Sequence, residues 1–170
     1  MKIAGKLILL AMAGALAPAI VFGADDSKLI APGQGIGAAR LGMTEPQAIA
    51  AMGKPAQRLH VATGYLDLFG EVRVFLADDG HVYRIETEDD GFRTREGLGV
   101  GSNEKEIVAK LGKPALAEDI RVRNDNILMP EGRRLCYEPG LIFIAEYEPR
   151  QPHATTRVAV WGDGCAKAFK

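Results

Sequence analysis

The sequence predicts an α+β protein of two tandem units, each a short helical segment followed by a three-stranded antiparallel sheet. The first observation behind this is a fourteen-residue stretch that occurs twice, Gly42 to Pro55 and Gly101 to Pro114, at a constant offset of 101 − 42 = 59. Gly42/Gly101, Glu45/Glu104, Ala50/Ala109, Gly53/Gly112, Lys54/Lys113 and Pro55/Pro114 are identical between the copies. The second is that strand-like runs follow each copy in the same order. The third is a hairpin signal, Asp78-Asp79-Gly80, between two of those runs.

Each copy has the punctuation of a short helix. Thr44 and Asn103 are residue types whose side-chain oxygen accepts from orphan N–H groups of a first turn. Gln47 and Glu106 stand three residues on, placed to reach back to the cap as in a capping box. Pro46 falls in the first turn, where a missing N–H costs little. Gly53 and Gly112 suit the conformation that ends a helix, and Pro55 and Pro114 prevent its resumption. Ile49 with Met52, and Val108 with Leu111, share one face at helical spacing. Two turns do not hold by themselves, so packing must hold these helices.

Strands are expected over Tyr65 to Phe69, Val72 to Leu76 and Val82 to Thr87 after the first helix. After the second they are expected over Arg133 to Tyr137, Leu141 to Tyr147 and Thr156 to Trp161. Arg84 to Gly91 aligns with Arg157 to Gly164 at an offset of 157 − 84 = 73, so the second unit has 73 − 59 = 14 additional residues. They are expected near Asn124 to Asn126 and Pro149 to Pro152. The units run over 38–95 and 96–170, preceded by residues 25–37, a Gly- and Pro-rich segment that reads as an ordered lead-in or a loose arm.

Residues 1–24 read as an export signal. Lys2 and Lys6 precede an apolar run from Leu7 to Ile20, and small residues follow at Gly23 and Ala24. Gly14 and Pro18 interrupt the run, which is shorter than the roughly 20 residues a spanning helix needs. No cysteine stands directly after the run, so no lipid attachment and no membrane anchor is expected after cleavage. Loss of Lys2 and Lys6 leaves 21 − 2 = 19 basic against 22 acidic residues, a charge of −3. That balance is no footprint for nucleic acid. The mature chain belongs in the periplasm or outside the cell.

The paired helix motif, Gly-Met-Thr to Met-Gly-Lys-Pro, followed by a strand meander, resembles the β-lactamase-inhibitor-protein-like fold. That fold is shared with a small outer-membrane assembly lipoprotein family of Gram-negative bacteria. The lipoprotein has one copy of the unit and the inhibitor has two, as here. The resemblance implies the fold across nearly all of the mature chain. It brings over neither the lipoprotein's acylated cysteine nor an inhibitory loop.

Few residues suggest chemistry. Cys136 and Cys165, the only cysteines, read as a disulfide in an exported chain. Such a bond closes 165 − 136 = 29 positions and contributes roughly 3–4 kcal/mol on the loop-entropy model. A thiol enzyme with His153 as base is the alternative. His60, His81 and His153 lack metal-ligand spacing, so no metal or other cofactor is expected. Ser27 and Ser102 lack a nucleophile elbow. Gly33 to Gly37 and Gly97 to Gly101 lack the features of a phosphate loop and read as turns. Asp89-Asp90 and Glu86-x-Glu88 lack calcium-loop spacing and read as a solvated strand end. No catalytic set emerges.

Strand alternation gives a stronger lead. Val72, Val74 and Leu76 share one face, leaving Arg73 and Phe75 on the other, and Val158 and Val160 likewise oppose Arg157 and Trp161. Helices cover only one face. An open face with Tyr65, Phe69, Arg73, Phe75, Arg84, Arg157 and Trp161 has the aromatic and arginine content of protein-binding surfaces. The competing reading is that these aromatics fill a second small core or lie under loops. The expected partner is another protein, in an inhibitor, immunity or envelope-assembly role. A small-ligand or peptidoglycan-fragment site in the groove between the units is the other expectation.

Overall fold

The computed structural model describes residues 27–124, 127–146 and 154–168. Three short strands come first, β1 (Ile30–Ala31), β2 (Gly35–Ile36) and β3 (Ala39–Arg40), paired in that order as a small antiparallel sheet. Ile30, Ile36 and Ala39 from these strands are buried in the main core. Helix α1 (Glu45–Met52) precedes β4 (Gln57–Val61), β5 (Gly64–Phe69), β6 (Val72–Leu76) and β7 (Val82–Thr87). Helix α2 (Glu104–Leu111) precedes β8 (Leu116–Asn124), β9 (Ile127–Tyr137), β10 (Leu141–Glu146) and β11 (Arg157–Trp161). A single turn, α3 (Cys165–Ala168), follows.

The eight long strands form one antiparallel sheet in the order β4-β5-β6-β7-β11-β10-β9-β8. This overturns the expected pair of helix-plus-three-strand units. The protein is mostly β, four strands rather than three follow each helix, and the strands merge across the β7–β11 pair. There Thr87 stands opposite Val158 and Arg84 opposite Trp161. Merging has a physical reason: two separate sheets would expose four strand edges, and one continuous sheet exposes two.

The two helix segments do correspond locally. Gly42 and Gly101 both take positive φ, as do Gly53 and Gly112. The Gly42 N–H donates to the Val82 carbonyl, and the Gly101 N–H donates to that of Thr155. Both helices are capped at the expected residues. The Thr44 N–H donates to Gln47 Oε1 at 2.8 Å, while Asn103 Oδ1 accepts from the Glu106 N–H at 3.0 Å.

The additional residues of the second half are partly accounted for by the hairpin strands. β8 exceeds β4 by 9 − 5 = 4 residues and β9 exceeds β5 by 11 − 6 = 5. Positions 125–126 and 147–153, where the insertions are expected, lie outside the described residues.

The main core lies between the sheet and the helices. Val72, Val74, Leu76, Ile85, Phe143, Val158 and Val160 pack there with Ile107 of α2 and the buried isoleucines of the small sheet. At roughly 25 cal/mol per Å² of apolar surface, this aliphatic layer is the largest stabilising contribution. Ion pairs fasten each helix to an outer hairpin. Arg58 of β4 meets Glu45 of α1 at 2.7 Å, and Arg133 of β9 meets Glu104 of α2 at 3.2 Å.

Candidate functional site

Cross-strand register fixes which residues occupy the sheet face away from the helices, here the far face. Opposite residues in an antiparallel pair point to the same side. Phe75 faces Arg84, Arg84 faces Trp161, Arg73 faces Glu86, and Ile144 faces Arg157. Along their strands these residues alternate with the core set. Arg73, Phe75, Arg84, Arg157 and Trp161 are therefore brought together on the far face, as expected from alternation.

Tyr65 and Phe69 are not with them. Tyr65 faces Leu76 and Phe69 faces Val72, so both point to the helix side. Phe69 packs against the main core, and Tyr65 lies beside Arg58 and His60. The reason is Asp67, which shares their side and is fully buried. Arg58 donates to both of its carboxylate oxygens, at 2.7 and 2.8 Å. Asp67, followed by Glu45, favours the charged form of Arg58 and raises its pKa. The carboxylate is thus neutralised inside, and Leu66 and Leu68 are turned to the far face instead.

At the centre of the far face the Arg84 guanidinium lies over the Phe75 ring at 4.6 Å and over the Trp161 ring at 4.9 Å. A bulge in β7 adds a third ring. The register steps from Phe75–Arg84 to Leu76–Val82, leaving Tyr83 as the extra residue. Tyr83 lies 6.2 Å from Phe75 and 5.8 Å from Trp161, centroid to centroid, and its hydroxyl bonds Thr63. Simple alternation places Tyr83 on the core side, so sequence reasoning missed it. These aromatics are half-buried and packed on one another rather than fully exposed.

Charges surround the rings. The Arg73 guanidinium forks onto Glu88 at 2.6 and 2.9 Å, and Arg157 bridges Glu88 at 3.0 Å and Glu146 at 3.2 Å. Arg134 donates to Glu118 at 2.7 Å. Arg84 donates through Nη2 to Glu86, which is 1 % exposed and so is no solvated strand end. Arg84 Nε is buried, with no acceptor among the described residues. Desolvation chiefly, with the like charges of Arg157, Arg134 and Arg73, pulls the Arg84 pKa down to about 10. Burial pushes Glu88 up, but hydrogen bonds from Arg73 and Arg157 outweigh it and hold Glu88 below the usual carboxylate range.

One end of the far face is closed. Cys136 and Cys165 are bonded, with Cα atoms 5.7 Å apart, and form a second buried cluster with Ile142, Ile144 and Ala159. Trp161 packs on its margin. The Glu138 carboxylate accepts from the Cys165 N–H at 3.1 Å, seating α3. Both cysteines are placed in this pair, and His153 lies outside the described residues. Ser102 is buried, its Oγ accepting from the Gly99 N–H at 3.1 Å. His60 stacks edge-on against Tyr65, and His81 lies beside Asp79. Among the described residues no three His, Cys, Asp or Glu side chains converge to hold a metal. None of their helices is long and apolar enough to cross a membrane.

The fold and face define a sheet-rich α+β protein with an aromatic and arginine cluster on the sheet face away from α1 and α2. No family model matches the chain, and no curated protein matches it. Among solved structures it is similar to a DUF4309 family protein, YjgB, from Bacillus subtilis. Identity is 15 % over 69 % of this chain and 77 % of that one, with a TM-score of 0.46. It is also similar to the uncharacterized protein yfeY from Escherichia coli, at 12 % identity over 76 % of this chain and 97 % of that one, with a TM-score of 0.48. Likeness at this level brings no activity or partner to the present chain, and it does not confirm a β-lactamase-inhibitor-protein-like fold.

Proposed function

We propose that the chain is an exported periplasmic protein that binds another protein through the middle of its far face, without catalysis. The proposal includes the signal at residues 1–24 and a β-lactamase-inhibitor-protein-like relationship, with an inhibitor, immunity or envelope-assembly role. The observation that supports it is the cluster of Phe75, Tyr83, Arg84 and Trp161. Aromatic rings and arginine are the residues that dominate binding energy at protein interfaces, and they do so when grouped centrally within a polar rim. Here the rim is the ladder of Arg73, Glu88, Arg157 and Glu146.

Affinity capture from periplasmic extract tests the reading. The tagged mature protein is expected to retain a partner that Phe75→Ala and Trp161→Ala both release. A partner that survives both changes in folded protein refutes it. A second reading, a small-ligand site, draws on a cavity of about 590 Å³ bordered by Asp90, Arg93, Ser102, Glu106 and Thr155. It predicts a thermal shift with peptidoglycan fragments that Arg93→Ala abolishes and Trp161→Ala does not.

A further inference from the structure

We infer that the partner meets this face with a carboxylate, an aspartate or glutamate side chain seated against Arg84 between Phe75 and Trp161. The inference rests on the far-face reading above and names the chemistry that completes it.

Four observations support it. First, the guanidinium is held between two rings, so its planar fork is oriented before anything binds. Secondly, its donor capacity is unspent. Arginine has five N–H donors, yet Glu86 takes one nitrogen and the buried Nε has no acceptor among the described residues. Thirdly, the neighbouring acids are already engaged: Glu88 by Arg73 and Arg157, Glu146 by Arg157, and Glu118 by Arg134. Among the described residues, none of these three carboxylates is free to turn to Arg84. Fourthly, Arg73, Arg134 and Arg157 surround Arg84, each bonded to a glutamate, so an arriving acid meets no unpaired carboxylate among these groups.

A carboxylate fits better than an apolar group, which offers the remaining N–H groups of the guanidinium no acceptor. The walls matter too. Rings on both sides reduce water's competition, and charge-assisted bonds to arginine are roughly twice as strong as neutral ones. The incoming acid displaces or shares Arg84 with Glu86, the one carboxylate it competes with.

The molecule contains its own probe, because Trp161 is the only tryptophan in the sequence. The purified exported protein is titrated with a hexaglutamate peptide while Trp161 emission is followed, with hexaglutamine and inorganic phosphate as comparisons. A saturable emission change with hexaglutamate alone is expected, weakening as salt rises. Arg84→Gln is expected to reduce affinity at least tenfold, and Arg84→Lys, which keeps the charge without the fork, several-fold. Glu86→Gln removes the competitor and is expected to tighten binding several-fold, a gain that a damaged fold does not produce. No response to hexaglutamate overturns the inference, as does an equal response to hexaglutamine or phosphate, or indifference to Arg84→Lys and Glu86→Gln. The two readings fail separately. If Phe75→Ala releases the natural partner but hexaglutamate never competes with it, the face stands and the carboxylate falls. If hexaglutamate binds through Arg84 while the partner ignores Phe75→Ala, the docking face falls.

Discussion

Asp67→Asn tests why the second strand of the large sheet turns its leucines outward. Asp67 is fully buried and accepts two hydrogen bonds from Arg58, which also reaches Glu45 on α1. An amide in its place keeps the shape but sets an N–H₂ against one of the Arg58 donors. Breaking a buried ion pair from one side costs about 3–5 kcal/mol. The Arg58 side chain is 36 % exposed and keeps Glu45, so water and that second acid recover part of the loss. The expected cost is about 2–3 kcal/mol, which for a domain of this size lowers Tm by roughly 6–9 °C. Urea denaturation of the parent, Arg58→Gln, Asp67→Asn and the double variant closes a double-mutant cycle. A coupling of at least about 1 kcal/mol is expected. A loss under about 0.5 kcal/mol for Asp67→Asn, or zero coupling, refutes the claim that this pair sets the orientation of the strand.

Three other outcomes follow from the same coordinates. Replacing Cys136 and Cys165 together by alanine reopens a loop of 29 positions, and urea titration is expected to show a loss of about 3.5 kcal/mol on the loop-entropy model. Arg84 has a lowered pKa, so its charged form is disfavoured in the folded state and costs stability at neutral pH. Arg84→Met alone leaves Glu86 buried and unpaired and is expected to lose about 3 kcal/mol. Arg84→Met with Glu86→Met should denature within about 1 kcal/mol of the parent, or above it. Glu88 has a lowered pKa, so its contribution is present above the usual carboxylate range and is lost as pH falls through the folded value. Thermal melts below about pH 4.5 are expected to show Glu88→Gln losing less stability with acid than the parent does.

The helices were the most legible part of the chain, because their signals are local. Asn103, Gln47, Gly53 and Gly112 act within a few residues of themselves, and each does what its type allows. The expected β6 and β7 ranges agree with the structure for the same reason, with Gly80 turning the chain at φ +80°. What was hidden depends on distant neighbours. β4 and β8 are the sheet's outer strands, and Gln57 to Val61 offers no clear alternation because its residues are exposed on both faces of the sheet. Ile120-Arg121-Val122-Arg123 did alternate and was the available signal for β8. The Tyr65-Leu66-Asp67-Leu68-Phe69 run shows the deeper limit. Alternation separates the leucines from the aromatics but cannot say which set goes inside. Ordinary hydrophobicity sends Asp67 outward, and only Arg58, nine residues earlier, reverses it. Tyr83 was lost to a bulge that only the pairing of β6 with β7 reveals. The count of strands, and their merging into one sheet, are set by edges that no single segment encodes.

Site-specific photocrosslinking in living cells tests the central claim most directly. A benzophenone side chain at Phe75 sits among the rings of the far face, and one at Val108 sits exposed on the opposite, helical side. A discrete protein adduct from position 75, absent from position 108, is the expected result. Adducts from position 108 alone, or from both positions with the same partner, would contradict a docking surface on the far face.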